Sequence, residues 1–490
     1  MILKLKEFMR FEQGISAGQT NVRLTLLWWV PALVPLIIVF SRLAVGTWSW
    51  GLMDDYVMID VPGSVWERFI ELNNKIFSSG RAYSAFLFHS ALFYKIFFHN
   101  PHAFYIFRFF EVILALSLWG YLSVIVSGKK SAAPLFIAIT LSFNKFYDAF
   151  FYLSTQEILG VIASGAAVIC ILKFLDVTRA WVQMVMLMSG ASALWLLYNF
   201  KEPFVSTGLA IGISLLIFNV NKENHKKTIC TGAVILLFSI GYACYLKYFV
   251  SRGYSASYSL MDWPKISANL FMWVKEALVS HLPWIFVAVA SMALSRGKAV
   301  VCPKQLWAIF LGGASYFLYA LFILPWNLGG HYVTPLAVFF AFTLAVFLVH
   351  KLEAARAAVI SLLIAGSLLL NIFIAAKAAD YHATYQHDTS NLIKWVAQNA
   401  LFNHEVGKGA SVRCNANEPC TAIPRLAKTF YGKSFGQFYF TPQVKVLLAD
   451  VNAKYYIWGP YWGNQDLARL GNMWSPMFVS DHWIVFRRMH

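Results

Sequence analysis

Strongly apolar runs, most of them near 20 residues long, recur along this chain and leave few folds open to it. A helix needs about 20 apolar residues to cross the hydrocarbon of a bilayer. Segments of that kind lie near 25–46, 103–126, 132–147, 155–174, 180–199, 204–220, 228–249, 281–296, 305–326, 335–350 and 357–376. Those eleven predict a polytopic α-helical membrane protein, with the third and tenth spans short. Composition agrees: 59% of the 490 residues are hydrophobic and 13% charged, a balance that excludes a soluble domain.

The formal charge of +17 reads as topology rather than nucleic-acid binding, because the basic residues gather in short loops. One side collects Lys4, Lys6, Arg10 and Arg23, then Lys129, Lys130, Lys173, Arg179, Lys222, Lys226 and Lys227. The same side continues with Arg296, Lys298, Lys304, Lys351 and Arg356, while the opposite short loops hold little beyond Lys145 and Lys201. The N-terminus is therefore expected in the cytoplasm, and an odd number of spans puts the C-terminus outside. The first apolar run is too long for a cleavable signal and lacks a small-residue cleavage site, so it is expected to anchor the chain. Residues 84–98 are apolar but short. Were they to span, every later loop would invert, so they are expected to lie along the outer interface.

After Lys377 the sequence turns mixed polar and aromatic, with short alternating runs such as Lys-Tyr-Tyr-Ile-Trp and His-Trp-Ile-Val-Phe. This predicts two units: a transmembrane module over 1–377, whose first outer loop covers 47–102, and a small outer α/β domain over 378–490. Tyr455, Tyr456, Trp458, Tyr461 and Trp462 are either that domain's core or a platform for sugar rings. Cys414 and Cys420 are spaced for a small disulfide loop if the domain faces an oxidising compartment. The absence of a visible repeat disfavours a transporter built from duplicated halves.

Charges near the outer interface are the candidates for chemistry, because ionised groups at a membrane are expensive to keep. Asp54, Asp55 and Arg81 fall in the first outer loop, Glu157 opens a helix, and Lys201 and Glu202 precede Pro203. His331 and Tyr332 stand in the fifth outer loop. Each has a plain alternative: a capped loop helix for the acidic pair, a snorkelling pair for Lys-Glu, a turn hydrogen bond for His331. Together, a carboxylate able to take a proton and several cations facing it suit transfer chemistry on an anionic lipid.

Met-Asp-Asp-Tyr after the first span, Gly-Arg-Ala-Tyr, Phe-His-Asn-Pro before Arg108, Lys-Glu-Pro at 201–203 and His-Tyr-Val-Thr-Pro at 331–335 form a set. The set resembles the GT-C superfamily of membrane glycosyltransferases, over nearly the whole chain. Lys-Glu resembles the pair in protein O-mannosyltransferase-like members, and His-Tyr-Val-Thr-Pro their Arg-Tyr-x-x-Pro element with His replacing Arg. Size and layout resemble bacterial O-antigen (serotype-converting) glucosyltransferases. The resemblance implies Asp54 as general base with Asp55 supporting it. It places Arg81, Lys201, Glu202, His331 and Tyr332 around the phosphate and sugar of a polyprenyl-phosphate (undecaprenyl-phosphate) donor. It further implies inverting transfer to an envelope glycan such as lipopolysaccharide, at the periplasmic face of a bacterial inner membrane. Members using monophosphate donors need no metal, although two adjacent carboxylates have the hard-ligand chemistry for a divalent ion. The other readings are an O-antigen polymerase or ligase using diphosphate-linked donors, and a lipid-linked-sugar flippase. The latter predicts charges lining a midplane path.

Overall fold

The helices of this protein begin and end where its sequence supplies caps and breakers. The computed structural model describes residues 20–46, 48, 50–51, 58–59, 63–78, 81–218, 224–250, 263–264, 266–271, 274–275, 284, 304–323, 330–352, 357–436, 438–441, 447–448, 450, 452–459, 470 and 473–489. Helix α1 (Thr20–Val45) is followed by α2 (Val65–Ser78) and α3 (Ser84–Ile96) in the first loop, then by α4 (Pro101–Ser127). At the start of α4 the Asn100 side chain accepts the Ala103 N–H at 3.0 Å, with Pro101 in the first turn. Gly128 ends it in a left-handed conformation at φ 69°, which costs a glycine little.

Next come α5 (Ala132–Thr140), a 3-10 turn (Asn144–Tyr147) and the single turn α6 (Asp148–Phe151). The long helices α7 (Glu157–Asp176), α8 (Ala180–Phe200), α9 (Phe204–Phe218) and α10 (His225–Phe249) follow. After them stand α11 (Lys304–Ile323), α12 (Gly330–Leu352) and α13 (Ala357–Gln398). Eight helices are long and apolar enough to cross a membrane among the described residues, and α9 is a shorter apolar helix. Apart from Trp284, the expected span at 281–296 lies outside the described residues. The fold is that of a polytopic α-helical membrane protein.

Two expectations need correction. The span expected at 132–147 is a nine-residue helix, about 14 Å of rise, followed by irregular backbone. Non-helical backbone at that depth survives only when buried in protein with its polar groups met, and here the partners are visible. Ser142 donates to Ile139 O at 2.6 Å, Tyr147 to Leu141 O at 3.0 Å, and Trp284 to Ser142 Oγ at 2.9 Å. Arg108 on α4, fully buried, donates to the carbonyls of Leu153 and Thr155. Asn371 on α13 donates to Ala138 O at 2.9 Å and to Pro31 O at 3.1 Å. The second bond has a covalent cause: Pro35 has no N–H, so the carbonyl four residues before it lacks its helical donor.

The second correction concerns the end of the last span. Residues 357–376 and the helical stretch expected near 389–400 belong to one 42-residue helix, α13, about 63 Å long. The boundary expected at 377 falls inside it. Beyond α13, α14 (Ala400–Gly407) and α15 (Asn417–Tyr431) accompany a five-stranded mixed sheet in the order β2-β1-β3-β5-β4. Its strands are β1 (Ser411–Cys414), β2 (Tyr439–Phe440), β3 (Ala453–Trp458), β4 (Trp474–Val479) and β5 (Ile484–Arg488). The β1 strand is parallel to β2 and β3, whereas β5 is antiparallel to β3 and β4. Tyr455 and Tyr456 are fully buried in two separate clusters and Trp458 packs on the one that holds Tyr456, so these aromatics are core; Tyr461 and Trp462 lie outside the described residues.

The domain is tied to α13 by its own polar contacts. Asp388 accepts the His482 N–H at 3.1 Å and contacts His482 Nδ1 at 2.9 Å, and Trp483 Nε1 donates to Thr389 Oγ1 at 3.1 Å. Helix α3 is 13 residues long and is not among the helices able to cross a membrane.

Candidate functional site

The end of α8 is where the chain concentrates its buried charge, and the reason is local. Glu202 precedes Pro203, which biases it away from helix, and α8 stops at Phe200. Lys201 is extended (φ −162°, ψ 135°), so the side chains of Lys201 and Glu202 leave the backbone in opposite directions. Lys201 turns inward to an ion pair with Glu157 at the first residue of α7; the two are 3% and 1% exposed. Its Nζ also sits over the Tyr332 ring of α12, 3.9 Å from the centroid. A cation buried this deeply persists only when neutralised, and carboxylate and ring share that task.

Glu202 turns to the loop between α1 and α4. It accepts from Arg81 Nε and Nη2, both at 3.3 Å, and from the backbone N–H of Ala82 at 3.4 Å. This two-pronged contact clamps the loop to the α8–α9 corner across 121 residues of sequence. The Arg81 guanidinium stacks on Tyr83 at 4.7 Å, and Arg81 and Glu202 retain 16% and 14% exposure, unlike the sealed pair beneath them. Tyr316 of α11, also fully buried, packs its ring 4.9 Å from Phe204 and lies within electrostatic reach of Glu157, Glu202 and Tyr332. Gly160 makes room one turn along α7, since a Cβ there would lie 2.0 Å from the Phe204 ring.

A second network abuts the same loop. His89 of α3 contacts Glu111 of α4 at 2.6 Å, and Glu111 pairs with Arg108 at 3.0 Å. Arg108 in turn holds the carbonyls at 153 and 155, so α3, α4 and the irregular segment before α7 form one unit. His382 of α13 reaches Asp148 at 3.4 Å while stacked on Phe151 at 4.6 Å.

Four of the residues singled out from the sequence, Arg81, Lys201, Glu202 and Tyr332, thus come together. Asp54 and Asp55 lie outside the described residues. The backbone of His331 belongs to the first turn of α12, and its side chain lies outside the described set. Cys414 and Cys420 are free thiols, so the disulfide loop is not formed; both are buried, one ending β1 and the other in the first turn of α15. Burial and the neighbouring Cys420 push the Cys414 thiol well above its usual range, which keeps it protonated and unreactive. Among the described residues no group of three or more His, Cys, Asp or Glu is placed to hold a metal ion.

Tyr316 is the site member that sequence reasoning did not find, and Glu157 one that it placed at the interface without assigning a role. Glu157 carried a signal, an acid opening an apolar helix, but its partner stands 44 residues away. Tyr316 is one of 23 tyrosines and carried none.

No protein-family model matches the sequence, and no curated protein matches it. Among solved structures, the crystal structure of the Archaeoglobus fulgidus oligosaccharyltransferase complexed with Zn and sulfate is similar, with a TM-score of 0.41 and 11% identity. The match covers 88% of this chain and 68% of that one. At that distance the likeness assigns no role to any residue here.

Proposed function

We propose that this protein is an inverting glycosyltransferase of the membrane. It moves a monosaccharide from a polyprenyl-phosphate donor to a hydroxyl of an envelope glycan such as O-antigen or lipopolysaccharide, on the periplasmic face. The single observation that carries the reading is the meeting of Arg81, Glu157, Lys201, Glu202 and Tyr332 from four separate segments at one end of the helices. The first loop, which bears the acidic pair in sequence, is clamped there by Arg81.

In this reading Asp54 accepts the proton of the acceptor hydroxyl, with Asp55 orienting it. The oxygen attacks the anomeric carbon from the face opposite the phosphate. The carbon–oxygen bond to the lipid phosphate breaks, the configuration inverts, and the lipid phosphate leaves as an anion. Arg81, the more exposed cation of the cluster, faces the charge growing on that leaving group. Lys201 is sealed against Glu157 and acts as a positioning residue, holding the α8–α9 corner, from which Glu202 grips Arg81, against the start of α7. Tyr332 lines the α12 side, and His331 is proposed to join it at the donor phosphate. The lipid tail stays in the bilayer throughout.

The test is transfer by the purified protein in nanodiscs from a panel of polyprenyl-phosphate sugars, beside Asp54→Asn. Transfer by the wild type with loss of at least about 10²-fold in the variant is expected for removal of a general base. Substantial residual turnover in a correctly inserted Asp54→Asn protein would exclude that role. Transfer only from diphosphate-linked donors would make the protein a polymerase or ligase.

A further inference from the structure

Arg68 contradicts the pattern of the helix that carries it. In α2 the inward row is Val65, Arg68, Leu72 and Ile76, spaced three and four residues apart; Arg68 and Leu72 are buried, Val65 and Ile76 half-buried, and Arg68 occupies an apolar position in the row. The residue is 5% exposed, and its Nε and Nη1 are sealed from solvent with no hydrogen-bond partner. Three Arg or Lys side chains are fully buried among the described residues. Lys201 is paired with Glu157 and Arg108 with Glu111, whereas among the described residues Arg68 has no carboxylate against it. A buried guanidinium left without an anion is a standing destabilisation, and a bound anion is one arrangement that relieves it.

The surroundings indicate what kind of ligand. The other apolar face of α2 presents Trp66 and Ile70, 60% and 42% exposed, with Trp66 packed against Phe69 and Phe69 against Phe88 of α3. A short amphipathic helix exposing tryptophan and isoleucine lies in the membrane interface, at the depth of lipid phosphates. Arginine's planar fork suits two oxygens of one phosphate group.

We propose that Arg68 is a phosphate-binding residue of the first loop, receiving the phosphate of a lipid at the outer interface. With the transfer reading above, on which this assignment of the ligand rests, that lipid is the polyprenyl-phosphate donor; a bulk phospholipid offers the same chemistry.

The experiment uses the full-length protein in a non-ionic maltoside detergent without phosphate, comparing wild type with Arg68→Met, Arg68→Gln and Arg68→Lys. Without ligand, Arg68→Met melts at the same temperature or higher, because it removes an unpaired buried charge. A structural arginine would instead give a lower melting temperature, and that result overturns the proposal. Added polyprenyl monophosphate raises the wild-type melting temperature and binds saturably. Binding weakens at least 10-fold in Arg68→Gln and Arg68→Met and less in Arg68→Lys, while the uncharged polyprenol distinguishes none of them. Equal phosphate affinity in wild type and Arg68→Gln overturns the proposal. Displacement by phosphatidylglycerol micelles at equal concentration assigns the site to bulk phospholipid, and resistance to it assigns the site to the donor. Arg68-dependent phosphate binding without sugar transfer from any donor would retain this site and sink the transferase reading instead.

Discussion

Removing the Lys201 ammonium should be among the most damaging single changes to this fold, and a second substitution should repair it. Lys201→Met leaves the Glu157 carboxylate 1% exposed with its cation gone and strips the ion from the Tyr332 ring. Breaking a buried pair from one side costs about 3–5 kcal/mol, most of it the uncompensated charge. Glu157→Gln should cost less, since Lys201 keeps the Tyr332 ring, whose contribution to a desolvated cation is about 2 kcal/mol. The double variant Glu157→Gln/Lys201→Met leaves no buried charge, so its loss should fall at least ~2 kcal/mol short of the sum of the singles. Reversible unfolding in mixed micelles of maltoside and SDS measures the four corners of that cycle. Additive losses, or a Lys201→Met penalty under about 1 kcal/mol, would refute the view that the pair is a mutually neutralised buried contact. Transfer by the repaired double variant then separates the roles. If Lys201 only positions the Glu202–Arg81 clamp, activity returns with stability; if it touches the donor, activity stays lost.

Three further outcomes are expected. Asn371→Leu orphans the buried carbonyls of Pro31 and Ala138 and should destabilise by about 2–4 kcal/mol, measured by the same micellar unfolding. In the C-terminal α/β unit, the Glu405 carboxyl is held at about 2, chiefly by hydrogen bonds from the Arg487 guanidinium, assisted by Tyr455. Its stabilisation is therefore fully present above the unfolded value of 4.5 and disappears as pH falls towards 2. Reduced for solvent screening at this partly exposed pair, it amounts to about 1–2 kcal/mol, so exchange protection of β3 and β5 in wild type should exceed that in Glu405→Gln at pH 6 and equal it near pH 2. The same gap at both pH values would show that Glu405 does not stabilise through its charge. Finally, Cys420, 3% exposed, should resist maleimide labelling from outside sealed cells until the domain is unfolded; rapid native labelling would contradict its burial.

The broad class of this protein was written in its runs of apolar residues. A 20-residue apolar segment has few destinations other than a bilayer, and Asn100-Pro101 or Gly128 punctuate a helix wherever they occur. The break between α8 and α9 was legible for the same reason, because proline after Glu202 acts through covalent geometry on its immediate neighbour. That the third span is short was legible, but not that its helix stops after nine residues. Only Arg108, Asn371 and Trp284, brought from distant segments, make the irregular backbone after it tolerable. The single helix α13 was hidden likewise, since a change from apolar to polar composition reads as a boundary although the backbone continues through it.

The site divides along the same line. That Arg81, Lys201, Glu202 and Tyr332 would be costly near a membrane follows from their residue types, and their common side follows from the loop charges. Which carboxylate neutralises which cation could come only from the tertiary structure. Lys201 takes Glu157 rather than its neighbour Glu202, and Arg81 takes Glu202. Arg68, in an apolar row of its helix, takes none among the described residues. Burial strengthens electrostatic pairing over a few ångströms in space, and the contacts it selects here lie 44 and 121 residues apart in the chain.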